Sequence, residues 1–311
     1  DRILPSSPFY AIVRWGGAGL FAALLIGLVI SIVSGSSQAF SHSGMGFLWS
    51  GTWNPAGGDY AAGTLLVGTV LTTFVAMVIV VPVGLGVSVS LTELAPKWLA
   101  GPLGTVIEFL AAVPSIVVGL WALLVLSPVF AAHVEPFLEG LPLLGHLFHG
   151  PAYGPSILLA SVVLAIMTLP TVVTLSRSAL GGVPLADREA AMALGATHWE
   201  VIRRTVLPGA RAGIAAAITL AVGRALGESI AVAMVIGNRP AVPHSLLAPG
   251  ATLGSAIVNQ FAESTPGLGT SSVIALAGVL LLLTILVNVV DQVLVRGRGA
   301  RRAVRVGGVP A

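Results

Sequence analysis

Arg224 and Glu228 stand four residues apart inside the run AVGRALGESIAVAMVIGN (221–238), which is otherwise almost uncharged. On a continuous helix that spacing puts both side chains on one face, where they can pair. A charge held at mid-bilayer costs about 2.5 to 3.5 kcal/mol on insertion scales, so such residues face a bundle interior or a wet cavity. The pair therefore marks an inward-looking seam. Gly223 and Gly227 form a small-x-x-x-small stripe beside it, which lets a neighbouring backbone come close. A purely structural role is also open, because a buried ion pair can fix register while contributing little net stability. A second acid, Glu108, stands near the start of another apolar run and is followed by Pro114, whose missing N–H frees the carbonyl of Leu110. Pro82 and Pro170 do the same in their runs. Ser115, Thr168 and Thr171 add hydroxyls beside these prolines, although such groups commonly bond to their own helix.

The elements that position these residues follow from composition. Of 311 residues 56% are hydrophobic and 9% charged, with a mean hydropathy of +0.98. Too little charge is present to cover a soluble fold, whose usage is about 25%. Runs near 12–33, 63–90, 106–126, 156–176, 212–236 and 271–295 are each long enough to cross a hydrocarbon core of about 30 Å. The expected class is all-α and polytopic, with six transmembrane helices. The first run is longer than a signal-peptide core and is read as a retained span. A Gly/Ser/Trp-rich loop, 34–60, follows it, its tryptophans suited to a membrane interface.

Nearly all of the 15 lysines and arginines fall in the loops of one side. Arg239 alone lies on the other and Arg224 within a span, so both termini are expected in the cytoplasm. The pI of 9.9 reflects scarce acids, with a formal charge of only +3, and gives no reason to expect nucleic acid. The absence of cysteine excludes a thiolate metal site or a cysteine nucleophile within the chain. His133, His146 and His149 gather in the second outer loop with Glu135 and Glu139; they read as solvated loop residues, and no metal site is expected. All six histidines fall in predicted loops and no paired aspartates occur in the spans, which argues against an intramembrane protease.

The connection between the fourth and fifth runs contains PLADREAAMALGATHWEVIRRTVLP. Asp187 and Glu189 suit the first turn of a helix, and Gly195 can end or bend it. Thr197 and Glu200 have capping-box spacing for a second helix, in which Trp199, Ile202 and Val206 share a face opposite Arg203 and Arg204. Pro208 is expected to stop that helix. Two short amphipathic helices joined at a glycine suit docking to a protein or to acidic headgroups, and pattern alone does not separate the two.

This segment resembles the EAA signature of ABC importer permeases through Glu189, Ala190, Ala191, Gly195, Leu207 and Pro208, with Thr205 where isoleucine is usual. The resemblance runs from about 63 to 295. It narrows to permeases of the PstC type through IEFLAAVPSIVVGLW, GRALGESIAVAMVIGN and PGATLGSAIVNQFAE, with Ser229 where that group usually has threonine. It implies a type I ABC importer permease fold, with a first helix and extracytoplasmic loop over 1–60, a permease core over 61–297, a coupling loop at 184–208 and a basic cytoplasmic tail over 298–311. That tail reads as solvated and disordered. The resemblance also implies an inorganic phosphate importer in a bacterial cytoplasmic membrane. Its implied partners are a PstA-type permease, two PstB-type subunits that bind ATP and Mg, and a PstS-type phosphate-binding protein. This chain would hold no cofactor and make no covalent bonds; it lacks a Walker A pattern. Arg224 and Glu228 are then the implied transport residues. Arginine supplies a planar donor fork for phosphate oxygens, and glutamate balances the charge while the site is empty and weakens the hold. Glu108, Ser115 and Ser229 are secondary candidates. A permease for molybdate or sulfate is the nearer rival, and a stand-alone channel would have no use for the docking loop.

Overall fold

The computed structural model describes residues 8–51, 53–140, 147–150 and 153–306. Among the described residues there is no strand ladder, and six helices are long and apolar enough to cross a membrane. We label the helices α1 (Pro8–Gly35), α2 (Gly63–Val89), α3 (Lys97–Ala112), α4 (Ser115–Glu139), α5 (Ile157–Gly181), α6 (Leu185–Ala193), α7 (His198–Gly227), α8 (Ile230–Val235), α9 (Leu253–Phe261) and α10 (Leu268–Val306).

The centre of the bundle is α5, 67% buried across its most apolar window. It packs along α2 and α7. On α2 the buried face includes a four-residue row, Gly68, Thr72, Ala76, Val80, Gly84 and Ser88, flanked over its first half by Leu65, Thr69 and Thr73. Lipid is as apolar as a leucine side chain, so close packing and hydrogen bonds rather than water exclusion drive such association. The row is built for closeness. A Cβ on Gly84 would stand 2.7 Å from Val172 of α5. Ser88 donates to Gly84 O at 2.6 Å and reaches Val173 O across the interface at 3.2 Å. By contrast α1 is unburied throughout its apolar window and touches α10 near its end, where Gly35 meets Ile274.

The expected loop at 34–60 is more ordered than its composition implied. It winds into helices Ser37–Ser43 and Gly46–Trp49 and buries Phe47 and Trp53 against Leu65, Leu253 and Leu276. Trp53 is thus a core residue, edge-on to Tyr60 at 5.3 Å; Trp49 remains exposed.

Several boundaries differ from the sequence expectation. The third run splits at Val113 and Pro114, both in extended backbone, so 106–112 belong to α3 and the span itself is α4. Two π turns, Ala122–Leu126 and Phe130–Val134, carry α4 on to Glu139. Consequently Glu135 lies in a helix, fully buried, rather than in a loop, and His133 is helical too. His146 lies outside the described residues. Among those described, no group of three His, Asp or Glu could hold a metal.

Pro208 does not stop its helix. A π turn over Ile202–Val206 precedes it, and the Leu207 N–H bonds to Ile202 O. That one-residue insertion shifts the ladder just before the residue that cannot donate, and α7 runs on to Gly227. The tail also departs from expectation: α10 continues through Val306, in keeping with the helix preference of its alanines and arginines. Residues 307–311 fall outside the described set.

Candidate functional site

The fifth span is broken where the two charges lie. The chain leaves α7 at Gly227, Glu228 is extended at φ −73° and ψ 120°, and α8 restarts at Ile230. Arg224 and Glu228 therefore do not share a helix face. Among the described residues no carboxylate lies within ion-pair distance of Arg224. A spacing of four places two side chains together only on an unbroken helix. Glycine at 227 is a poor helix former, and the Glu228 side chain has local work instead: its Oε1 accepts the Ala231 N–H at 3.4 Å, satisfying a donor that the break exposes. Ser229 Oγ donates to Gly227 O at 3.3 Å.

Arg224 occupies the last turn of α7 and is exposed. Between Gly209 and Gly227 the exposed positions Gly209, Ala212, Ala216, Leu220, Arg224 and Gly227 recur every three or four residues, with Arg211 exposed beside the first of them. The six form one stripe that is uncharged except for Arg224, opposite a face buried through Ala210, Ala217, Ala221 and Ala225. The expected glycine shelter is not there: a Cβ on Gly227 would meet nothing within 4 Å, and one on Gly223 only the Asn288 side chain at 3.9 Å. What shelters the break is α9. A Cβ on Gly254 would stand 2.5 Å from Ser229 Oγ and 3.2 Å from Glu228 O. Thr252 caps α9 reciprocally with Ser255, and the Leu253 N–H donates to Thr69 Oγ1 of α2 at 2.9 Å, so the helix supporting the break is itself fixed.

Ser115 is brought towards this region. It is the first residue of α4, whose initial turns pack on α8, with Gly119 against Ala231 and Met234. The start of α4, just after the turn at Val113–Pro114, and α8, just after the break at Glu228–Ser229, thus pack side by side. Irregular backbone at membrane depth is tolerated where protein or a wet cavity covers it. The Leu110 carbonyl, expected to be free, accepts the Val113 N–H at 3.4 Å as α3 ends. Thr168 bonds to Leu164 O of its own helix at 2.8 Å.

Glu108 is not part of this cluster. It projects from α3 into a cleft of about 440 Å³ shared with Thr92, Thr174, Arg177 and Ser178. Arg177, counted from sequence as a loop residue, lies inside α5 with its guanidinium over Gly104.

The docking loop forms as two helical pieces. Glu189, Ala190 and Ala191 lie on α6, and Gly195 turns the chain at φ +86°. Thr197 accepts the Glu200 N–H while Glu200 receives the Thr197 N–H, the expected capping box. Ile202 is buried, Val201 and Val206 are buried with Leu180 and Val183, and Leu207 packs against that group. Trp199 departs from their face and is exposed, as are Leu185, Met192 and Leu194, the last at 90%. An apolar patch is left uncovered on the loop.

Sequence reading missed the residues that hold this loop down. Arg188 Nη1 contacts Glu93 Oε1 at 2.9 Å and Oε2 at 2.7 Å, and its Nη2 donates to Leu180 O at 2.7 Å. His198 Nε2 lies 3.1 Å from Glu93 O. The only hint in sequence is that Glu93 and Arg188 are charges in connections between apolar runs.

Residues 81–299 match the family described as the inner membrane component of binding-protein-dependent transport systems. The chain is 42% identical over 281 residues to the phosphate transport system permease protein PstC of Pasteurella multocida, covering 89% of this chain and 88% of that protein. It is 40% identical to PstC of Mesorhizobium japonicum, covering 96% and 92%, and 36% identical to PstC 1 of Mycobacterium tuberculosis, covering 95% of each. Among solved structures, a bacterial alginate ABC transporter in complex with an alginate-bound periplasmic protein aligns with TM-score 0.58 at 16% identity, covering 91% of this chain and 95% of that one. An inward-facing MetNI methionine ABC transporter aligns with TM-score 0.54 at 21% identity, covering 74% and 92%. These two bear on the fold alone.

Proposed function

The chain belongs to the inner-membrane permease family of binding-protein-dependent transport systems, within the PstC group, and from that premise we propose that it is a permease subunit of an ATP-driven inorganic phosphate importer. It is a multi-pass membrane protein and a transport subunit rather than an enzyme. In this reading it forms half of the pathway beside a PstA-type permease, receives phosphate from a PstS-type binding protein, and borrows hydrolysis from two PstB-type subunits that hold ATP and Mg. Both termini face the cytoplasm, where the arginine-rich loops are retained.

One observation carries the assignment of the pathway: Arg224 is exposed in a span, at the edge of a helix break, with no ion partner within the chain among the described residues. Its cost in lipid is avoided only if the stripe on α7 faces a wet pathway or the second permease. The guanidinium then offers a donor fork to a tetrahedral oxyanion. Glu228 and Ser229, at the break itself, give the gate its polar rim, and Ser115 lines it from α4. Glu108 stands in a separate cleft and acts, if on the same pathway, at a different level from the break. Glu189, Ala190, Ala191, Gly195, Leu207 and Pro208 belong to the element that docks on the ATPase; the exposed Leu194 and Trp199 supply apolar surface for that contact.

The chain contains no cysteine, so single cysteines can report on water access. Cysteine at 224, 229 or 115 in the assembled importer should react with a charged methanethiosulfonate reagent, and phosphate with ATP should slow labelling at 224. A residue 224 that stays unreactive from both sides of the membrane would remove it from the pathway.

A further inference from the structure

The transmission of force from the docking loop has a second route besides the peptide chain of α7. Glu93 lies in the π turn Ser90–Leu94 that extends α2 at one end of the bundle. Its carboxylate is held by Arg188, the residue before Glu189 on α6, and its backbone carbonyl by His198 at the start of α7. One residue at the end of α2 is thereby bonded to both helical pieces of the docking loop. The same guanidinium donates to the Leu180 carbonyl at the end of α5, which also accepts the Val183 N–H at 3.3 Å. Leu180, Val183, Val201, Val206 and Ala210 form a small core beneath these bonds, with Val89 of α2 packed against it.

This ion pair differs in kind from a surface one. The side chains of Arg188 and Glu93 are 17% and 5% exposed, whereas the other ion pair among the described residues, Arg204 with Glu200, is 3.9 Å long and open to solvent. Exposed pairs contribute little, but a sheltered pair with a further hydrogen bond to a backbone carbonyl has a fixed geometry and is costly to break on one side. The consequence is mechanical. The partners of Arg188 sit on α2 and α5, the pair that packs most extensively in the bundle, and α2 also anchors α9 through Thr69 and Leu253. α9 in turn abuts the break at Glu228–Ser229 through Gly254.

We infer that the Glu93–Arg188 ion pair is the strut that couples displacement of the docking loop to the α2/α5 core and through α9 to the break at Glu228–Ser229. Both are positioning residues; neither touches the transported anion. The inference rests on the permease reading above and adds to it a route for the coupling.

The test uses the complete importer with its ATPase and permease partners, reconstituted in proteoliposomes. Phosphate uptake and ATP hydrolysis are measured together for wild type, Glu93→Gln, Arg188→Gln and the exchanged pair Glu93→Arg/Arg188→Glu. Each single variant should lose about tenfold in phosphate imported per ATP hydrolysed while the ATPase subunits still co-purify. The exchanged pair should recover at least half of that loss. A single variant that fails to assemble, and whose assembly the exchange repairs, supports the strut as well. Single variants with wild-type uptake per ATP, or an exchange that restores neither coupling nor assembly, would overturn it. Should the wild-type complex import sulfate or molybdate in place of phosphate, the substrate assignment fails, and the strut is scored with that anion.

Discussion

Replacing Gly254 with alanine probes the contact between α9 and the broken span. The new Cβ would stand 2.5 Å from Ser229 Oγ and 3.2 Å from both Glu228 O and Ser229 Cα. Ordinary carbon contacts begin near 3.5 Å, so the two segments must separate by roughly half an ångström to one ångström or rotate Ser229 out of the way. Only the hydroxyl is a movable side-chain atom; the other two are backbone and cannot swing aside. Overpacking of this kind costs about 1 to 3 kcal/mol. If the break changes shape during transport, that strain falls on one gate state and shifts the gate equilibrium by about 5- to 150-fold. Gly254→Ala should therefore depress phosphate uptake by a comparable factor and lower the unfolding temperature of the purified complex, followed by fluorescence of its tryptophans. Gly86→Ala on α2 is the matched control, because a Cβ there meets nothing within 4 Å. Wild-type uptake and stability in Gly254→Ala would refute the claim that α9 braces the gate.

Four further outcomes are expected. Arg224→Ala should reduce phosphate uptake by about ten- to 150-fold, the worth of one charge-assisted hydrogen bond of about 1.5 to 3 kcal/mol, without loss of assembly; Arg224→Lys should fall between, since it keeps charge but not the fork. Leu194→Asp should abolish co-purification of the ATPase yet leave the chain itself folded, because Leu194 is 90% exposed and has little to lose within the subunit. Thr197→Ala removes one half of a capping box and should weaken the docking loop by about 0.5 to 2 kcal/mol, seen as faster proteolysis between α6 and α7. Ser88→Ala removes an interhelical hydrogen bond to Val173 O and should lower stability by only about 0.6 kcal/mol, with uptake unchanged.

Hydropathy located the six spans because a lipid-facing helix must be apolar for about 20 residues, and that requirement is written along the chain. The capping box of Thr197 and Glu200 was equally legible, since both partners lie within one turn. The breaks were not. An apolar run reads as one span whether or not its backbone turns at Glu228 or at Val113, so the charge spacing of Arg224 and Glu228 was interpreted on a helix that does not continue. Pro208 failed in the opposite sense: a one-residue π insertion restores the ladder, and nothing in local sequence announces it. The strut between Glu93 and Arg188 joins residues 95 apart, a separation at which single-sequence patterns carry no information.

The most direct test of the account is ATP-dependent uptake of labelled phosphate by the reconstituted importer, measured alone and against unlabelled phosphate, sulfate and molybdate, for wild type and for Arg224→Ala. Uptake should be competed away effectively only by phosphate and should fall at least tenfold on the arginine substitution. Equal competition by all three anions, or undiminished uptake without Arg224, would contradict it.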